Sequence, residues 1–527
     1  MVKSRRQRWT LIGWLAAVSL FAAVTVVFGA EEVIKYKEVH LPFISNRTAI
    51  WIAAQLMLNF AAFILGAPIF VVVCEYIGWR KKDDRYERLA REVTKVTAVA
   101  YSLTALTGGL FALLLIGLYP KLSAFLMTYF FPLWLMFYPF LFILETILMY
   151  TYLYSWDAFS NRKGLHISIG ALLNVVGILV LFLMNAVTSF MNTPVKAFEE
   201  ATVWQLMNNF TWWPLNIHRF IANVSFGGFI TALIAAVMYM TSKTEKDRAF
   251  YDWMGFVGNL IGLATFMLLA FPGYLYGYEI YQYDASLGIY MMSDRLSMFF
   301  EMQGMLIGLM FLAGNYYIWL SMKRITGAER YTPLIKAGFV LILICNAIWM
   351  TPRHFFATMI LEPGVLPEGM DPDQYINQME LPSHLSFMAL MPIKNTAAFL
   401  SIVVILFSYV LYRLAIKRGA IRWGVIDPAS QYTLIFLAFA AIWTMGLMGA
   451  VRSLARKYFH IYILMKDMTA DAYTPTLAWS ASLITMISLV FFIMIGFCIW
   501  IGVGLSRANG GRKAASQAYE TAPAKGG

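Results

Sequence analysis

The chain has 527 residues, 60% hydrophobic and 16% aromatic with only 13% charged, and a water-soluble fold could not cover that much apolar surface with so few charges. Its net charge of +12 does not mark a nucleic-acid binder: Lys and Arg sit in short segments between long apolar runs, the pattern of positive-inside membrane topology. Cys74, Cys345 and Cys498 each lie inside an apolar run and offer neither a disulfide framework nor the C-x-x-C-H attachment of a c-type haem, so any haem is held without covalent bonds.

In chain order, Lys3, Arg5, Arg6 and Arg8 precede the apolar stretch Trp9 to Ala30, which exceeds a signal-peptide core. Phe28 stands where a cleavage site wants a small residue, so an uncleaved first helix is expected. Further apolar windows fall at 47–78, 96–118, 122–154, 165–190, 214–241, 252–274, 293–321, 332–358, 392–413, 431–459 and 479–505. The expected fold is an all-α polytopic bundle of about twelve transmembrane helices. It divides into residues 1–46 (an extra helix and outer loop), a membrane domain over 47–505, and a tail at 506–527 too rich in Gly, Ala, Ser and Lys to fold. No internal repeat and no separate soluble domain is evident.

Taken alternately, one set of connections is basic: Arg80 to Lys95, Arg162-Lys163, Lys243 to Arg248, Lys323 to Arg330, Lys417 to Arg422, and the tail. The long loops of the other set, 191–213 and 359–391, carry only Lys196. This places both termini in the cytoplasm of a bacterial cell, the chain in the inner membrane, and the long loops outside.

Of six histidines, His40, His218, His354, His384 and His460 lie at outer loops or helix ends and only His166 lies inside, which makes the outer side the candidate redox side. A single histidine near a helix end is more often a satisfied interfacial group than a ligand; clustering on one leaflet shifts that balance. Haem b needs two axial ligands from helices that approach each other. His218 opens the window at 214 just after Pro214, and Ala222, Ser225, Gly227 and Gly228 below it leave room for a macrocycle. Met391 and His384 are candidates for the opposite face, with Lys394 and Arg219 placed to pair with propionates.

These features resemble subunit I of the cytochrome bd oxidases over roughly 47–505. Arg47, Gly66 and Glu75 match the family's first helix, and Glu145 with Trp156-Asp157 matches the end of its third. His218, nine residues after Asn209, matches a haem histidine, and Gly277-Tyr278-Glu279 matches the start of the quinol-binding loop. The resemblance implies that His218 ligates low-spin haem b, that Met391 stands near the family's methionine ligand, and that Glu279, Arg295 and Glu301 contact quinol. A carboxylate beside the ring suits that role, because quinol oxidation releases protons with its electrons.

There are departures as well. The histidine that binds the family's oxygen-reactive haem falls on Met57, with Asn59 nearby; the first glutamate of the third helix falls on Phe137, and a glutamate ligand falls near Leu447. These imply that the oxygen-reducing haem pair is absent or altered and that haem d is not expected. Met448 to Arg452, Arg456, His460 and Tyr473 to Thr476 resemble a divergent bd-like branch associated with c-type cytochromes. The implied function is that of a quinol-linked respiratory electron-transfer subunit, an oxidoreductase that passes electrons between quinol and haem b. Its implied partners are other membrane subunits, among them a subunit II-like protein, with c-type cytochrome or iron–sulfur subunits and membrane lipid. Two alternatives stand beside it: an oxygen-reducing quinol oxidase using Met57 or another residue as a distal ligand, and a haem-free scaffold or transporter.

Four further features carry an expectation. Glu145, in mid-helix, must be protonated or partnered, as a proton-path residue or as a structural hydrogen bond. Glu75 is expected to form an interfacial salt bridge with Arg80. Arg452 and Arg353 either hold propionates or snorkel to the interface. The acidic stretch Glu362 to Glu380 is a candidate docking face for a basic electron carrier.

Overall fold

The computed structural model describes residues 41–44, 46–195, 197–284, 297–351, 364, 367–370, 392–455 and 493; all of them fall within one compact unit, Leu41–Gly527. The described residues are helical, with a single β-bridge between Ile325 and Ile421. We number the helices α1 (Asn46–Lys81), α2 (Asp84–Leu118), α3 (Pro120–Tyr129), α4 (Tyr138–Tyr154), α5 (Lys163–Phe190) and α6 (Val203–Met207). They continue as α7 (Trp212–Thr241), α8 (Glu245–Tyr283), α9 (Ser297–Ser321), α10 (Thr332–Trp349), α11 (Pro392–Arg418) and α12 (Ala429–Ala455). Nine candidate spans are found among the described residues, and the apolar helix Phe140–Tyr154 is shorter. The expected span at 9–30, that at 479–505 apart from residue 493, the tail, and His40, His354 and His460 lie outside the described residues.

Local sequence accounts for the boundaries. α1 and α2 are divided at Lys82, which takes a left-handed φ of 54°, and Asp83 then caps α2 by accepting the Arg85 backbone N–H at 3.1 Å. Thr244 caps α8 in the same way through the Asp247 N–H. The expected single span 122–154 is corrected. Pro132 has no backbone N–H to donate, and the chain there passes from α3 through a π-helical turn, Pro132–Phe137, into α4.

α7 is the central post. In its most apolar window 78% of the residues are buried, against 22% in α2 and in α10, and it packs on α1, α5, α8 and α12. Between helices in a bilayer there is no water to expel, so close contact depends on small residues. A Cβ added at Gly66 of α1 would lie 1.8 Å from the Asn223 carbonyl of α7, and one at Gly228 would lie 2.4 Å from the Gly262 nitrogen of α8. A second pair of helices, α10 and α11, joins this core through α9.

The end of the bundle that carries Arg80 and Lys163, here called the basic end, is tied by ion pairs. Arg88 meets Asp247 at 2.9 Å and Arg91 meets Asp157 at 2.8 Å, while Lys163 binds Glu87. The expectation for Glu75 is corrected here. Its carboxylate is 1% exposed and accepts the Tyr152 hydroxyl at 2.6 Å, with His166 Nδ1 at 2.7 Å and Lys163 Nζ at 3.8 Å. Arg80 instead donates to the Tyr76 hydroxyl. The next turn of the helix carries Glu75 inward, where a charge needs buried partners rather than interfacial water.

Candidate functional site

The opposite end, where α7 begins, is assembled by polar side chains on the α5–α7 connection. Asn209 donates to Ser189 Oγ at 2.8 Å and to the Leu206 and Met207 carbonyls at 3.1 Å, and Thr193 meets Thr211 at 2.8 Å. These bonds fix the entry of α7 against the end of α5. One turn further on, Asn185 of α5 donates to Asn216 Oδ1 at 2.8 Å and accepts from Arg219 at 2.5 Å. From α8, Tyr276 accepts a bond from Asn192 at 2.8 Å.

His218 stands in the middle of this arrangement. Its ring stacks on Tyr276 with centroids 6.2 Å apart and lies over Gly273 of α8, where an added Cβ would sit 3.4 Å from Nδ1 and from Cε1. Nδ1 is buried and has no hydrogen-bond partner among the described residues, and the adjacent Asn216 Nδ2 is in the same condition. An unbonded buried ring nitrogen costs about 1–3 kcal/mol, so the site is incomplete as the described residues alone build it. A histidine ring wedged in place and backed by glycine is a residue type and setting that a haem ligand can take, with Nε2 rather than the buried Nδ1 as the nitrogen that would meet the iron.

The other expected residues divide three ways. Glu279 is half-buried on α8, one turn beyond Tyr276, and Glu301 is half-buried near the start of α9. Lys394 is 6% exposed at the start of α11, where its ammonium donates to the Thr351 carbonyl and, at 3.3 Å, to the Trp349 carbonyl; it thus caps the end of α10. Glu145 is 4% exposed on α4, with the Tyr101 hydroxyl at 3.5 Å and Gly177 of α5 facing its Oε1. Arg295, His384 and Met391 lie outside the described residues, as do the side chains of Arg452 and Phe137.

Met57 faces α2: its sulfur is 3.4 Å from where a Cβ on Gly108 would stand. The opposite face of the same helix segment carries Trp51, Gln55 and Asn59, an i, i+4, i+8 stripe whose Nε1, Oε1 and Oδ1 atoms are buried without partners among the described residues. Gln55 crowds Gly449 of α12, where a Cβ would meet its Nε2 at 1.7 Å. On α12 the Trp443 Nε1 is likewise buried without a partner, and Leu447 is fully buried. Only Asn59 of this stripe was marked by the sequence. The signal that would have found the rest is the four-residue spacing of polar side chains in an otherwise apolar helix.

An all-α bundle of helices long and apolar enough to cross a membrane, with a buried, unbonded histidine nitrogen at one end, is in architecture a polytopic membrane protein. Residues 46–286 match the family described as cytochrome bd terminal oxidase subunit I. Among solved structures, the chain is similar to one described as the structure of bd oxidase from Geobacillus thermodenitrificans, at 14% identity and a TM-score of 0.47, over 88% of this chain and 98% of that one. No curated protein matches.

Proposed function

We propose that the chain is a membrane subunit of a quinol-linked respiratory electron-transfer complex, holding haem b through His218 near the outer face. The observation that carries this reading is the His218 ring packed over Gly273 at the end of the bundle, within the segment that matches the family. When bound, haem b supplies one-electron chemistry between quinol and a partner. Met391 or His384 would provide the second ligand, and Arg219 and Lys394, with Arg452, would stand as cations for the propionates. Glu279 and Glu301, with Arg295, would face the quinol, a carboxylate taking up a proton as the quinol is oxidised. Glu145, enclosed against Tyr101, would hold a proton in mid-membrane.

Met57 turns toward α2, away from the Gln55–Asn59 stripe, which supports the reading that oxygen chemistry is altered; the electrons would then leave to c-type or iron–sulfur partners. A subunit II-like membrane protein is the expected neighbour. Reduced-minus-oxidised spectra of the purified complex should show a haem b band that His218→Ala removes while Glu301→Gln keeps it. A band unchanged in His218→Ala would take His218 out of the account. Haem d in the spectrum would favour an oxygen-reducing oxidase, and absence of iron a scaffold or transporter.

A further inference from the structure

The basic end holds a second polar cluster, in the seam between α8, α9 and α11. Asp252 of α8 takes the Arg324 guanidinium on both carboxylate oxygens, at 3.0 and 2.5 Å, and both side chains are fully enclosed. The Gly424 N–H donates to the same carboxylate at 2.9 Å, and Arg324 Nη2 also donates to the Tyr317 hydroxyl at 2.9 Å. That pair is well made, but its surroundings are not. Arg324 Nη1, the Tyr409 and Tyr412 hydroxyls and both ends of the Asn259 amide are all buried without a hydrogen bond among the described residues. Tyr412 faces Arg324 and Tyr409 faces Asn259, in neither case at hydrogen-bonding geometry. The Tyr152 hydroxyl, equally buried, is bonded to Glu75.

The chemistry of the unbonded groups selects what completes them. Arg324 Nη1 offers only donors, the two hydroxyls offer a donor and an acceptor each, and the Asn259 amide needs one of each. An anion would serve the donors and repel the Asn259 oxygen; a cation would be repelled by the guanidinium. Water supplies both kinds of bond and is the usual occupant where several buried polar groups face one space. The groups also form a line. Asp252 and Asn259 are two turns apart on α8, about 10 Å. At the far end Ser408 donates to Asn315 at 2.6 Å and Asn315 to the Ile335 carbonyl at 3.1 Å, so the unbonded groups stop there. At the near end the Arg324 carbonyl accepts from the Arg422 N–H, and the exposed Lys323–Asp427 pair follows directly, so the start of the line is one residue from the surface.

We propose that α8, α9 and α11 enclose a file of ordered water entered at Arg324 and reaching Asn259, an inlet for water and for the protons it carries. This inlet does not depend on what His218 binds.

Radiolytic hydroxyl labelling of the intact protein tests it directly. An X-ray pulse makes radicals from bound water, so a buried side chain is oxidised only where water touches it. Mixing into H2-18O before the pulse shows whether that water exchanges with bulk. Tyr412, which is fully buried, should be oxidised at a rate approaching that of Tyr432, which is 64% exposed, and should carry 18O; Tyr152, 1% exposed, should stay protected. Tyr412 and Tyr409 as protected as Tyr152 would overturn the proposal. So would labelling that carries only 16O after mixing, since sealed water is not an inlet. Asn259→Leu combined with Tyr409→Phe should cut Tyr412 labelling several-fold, and unchanged labelling there would refute the assigned line.

Discussion

Glu75 shows how much one buried bond pattern fixes. His166 Nε2 lies 2.8 Å from the Tyr152 carbonyl, which can only accept, so that nitrogen carries a proton; Nδ1 lies 2.7 Å from Glu75 Oε1. The Glu75–His166 contact therefore contains one further proton, on either partner, and the pair is neutral as a unit. Neutrality is what allows two titratable groups to sit at 1% and 0% exposure. His166→Ala leaves the Glu75 carboxyl with only Tyr152 and distant Lys163, and should lower stability by roughly 2–4 kcal/mol. In a double-mutant cycle with Glu75→Gln, unfolding in detergent should give a coupling of about 1–3 kcal/mol. Additive effects would mean that the two side chains act independently. None of this was legible in the sequence, because 91 residues separate the partners and the nearer cation, Arg80, satisfies the charge rule equally well.

Among the elements, the α7–α8 pair depends on the absence of side chains. Cβ atoms built at Gly258 and Gly262 would stand 2.8 Å from Ala232 nitrogen and from Phe229 Cδ1 respectively, whereas one at Gly109 of α2 would meet nothing within 4 Å. Gly258→Val should therefore cost about 1–3 kcal/mol by overpacking, and Gly109→Val should cost much less. Equal melting shifts would show that α7 and α8 are not held at this distance. Helix starts are a second element-level matter. Arg85 holds the Asp83 carboxyl below the usual carboxylate range. The stability from that cap is therefore complete above the ordinary carboxylate pKa of about 4 and lost as pH falls through the depressed value. Asp83→Ala should cost about 0.5–1 kcal/mol at neutral pH, a difference that shrinks in acid; a constant difference would deny that the charged carboxylate is the cap. Helices were the legible part of the fold, since length and hydropathy are local. The break at Pro132 was missed because a π turn leaves the apolar run intact, and Trp51 and Gln55 of the α1 stripe were missed because which face of α1 turns inward depends on α7 and α12.

At the scale of the whole molecule, the basic end and the His218 end must be assigned to sides of the membrane, because the proposed release of quinol protons builds a potential only if His218 lies outside. The described connections at the basic end contain Arg80 to Lys95, Arg162-Lys163, Lys243 to Arg248 and Lys323 to Arg330, while the connection from α5 to α7 has Lys196 as its one cation. Cations near the ends of spans are retained on the cytoplasmic side, and a strong asymmetry of this kind leaves little competition between orientations. Asn161 and Glu199, both exposed, mark the two ends. Cys74 and Cys345 are 4% and 2% exposed and add little background to thiol labelling, and the labelling is done in a Cys498→Ser background. In intact cells whose outer membrane has been permeabilised, a membrane-impermeant maleimide should modify Glu199→Cys but not Asn161→Cys, and Asn161→Cys should react once the inner membrane is opened. The reverse pattern would put His218 on the cytoplasmic side, so that quinol oxidation there would release its protons inside and conserve no energy.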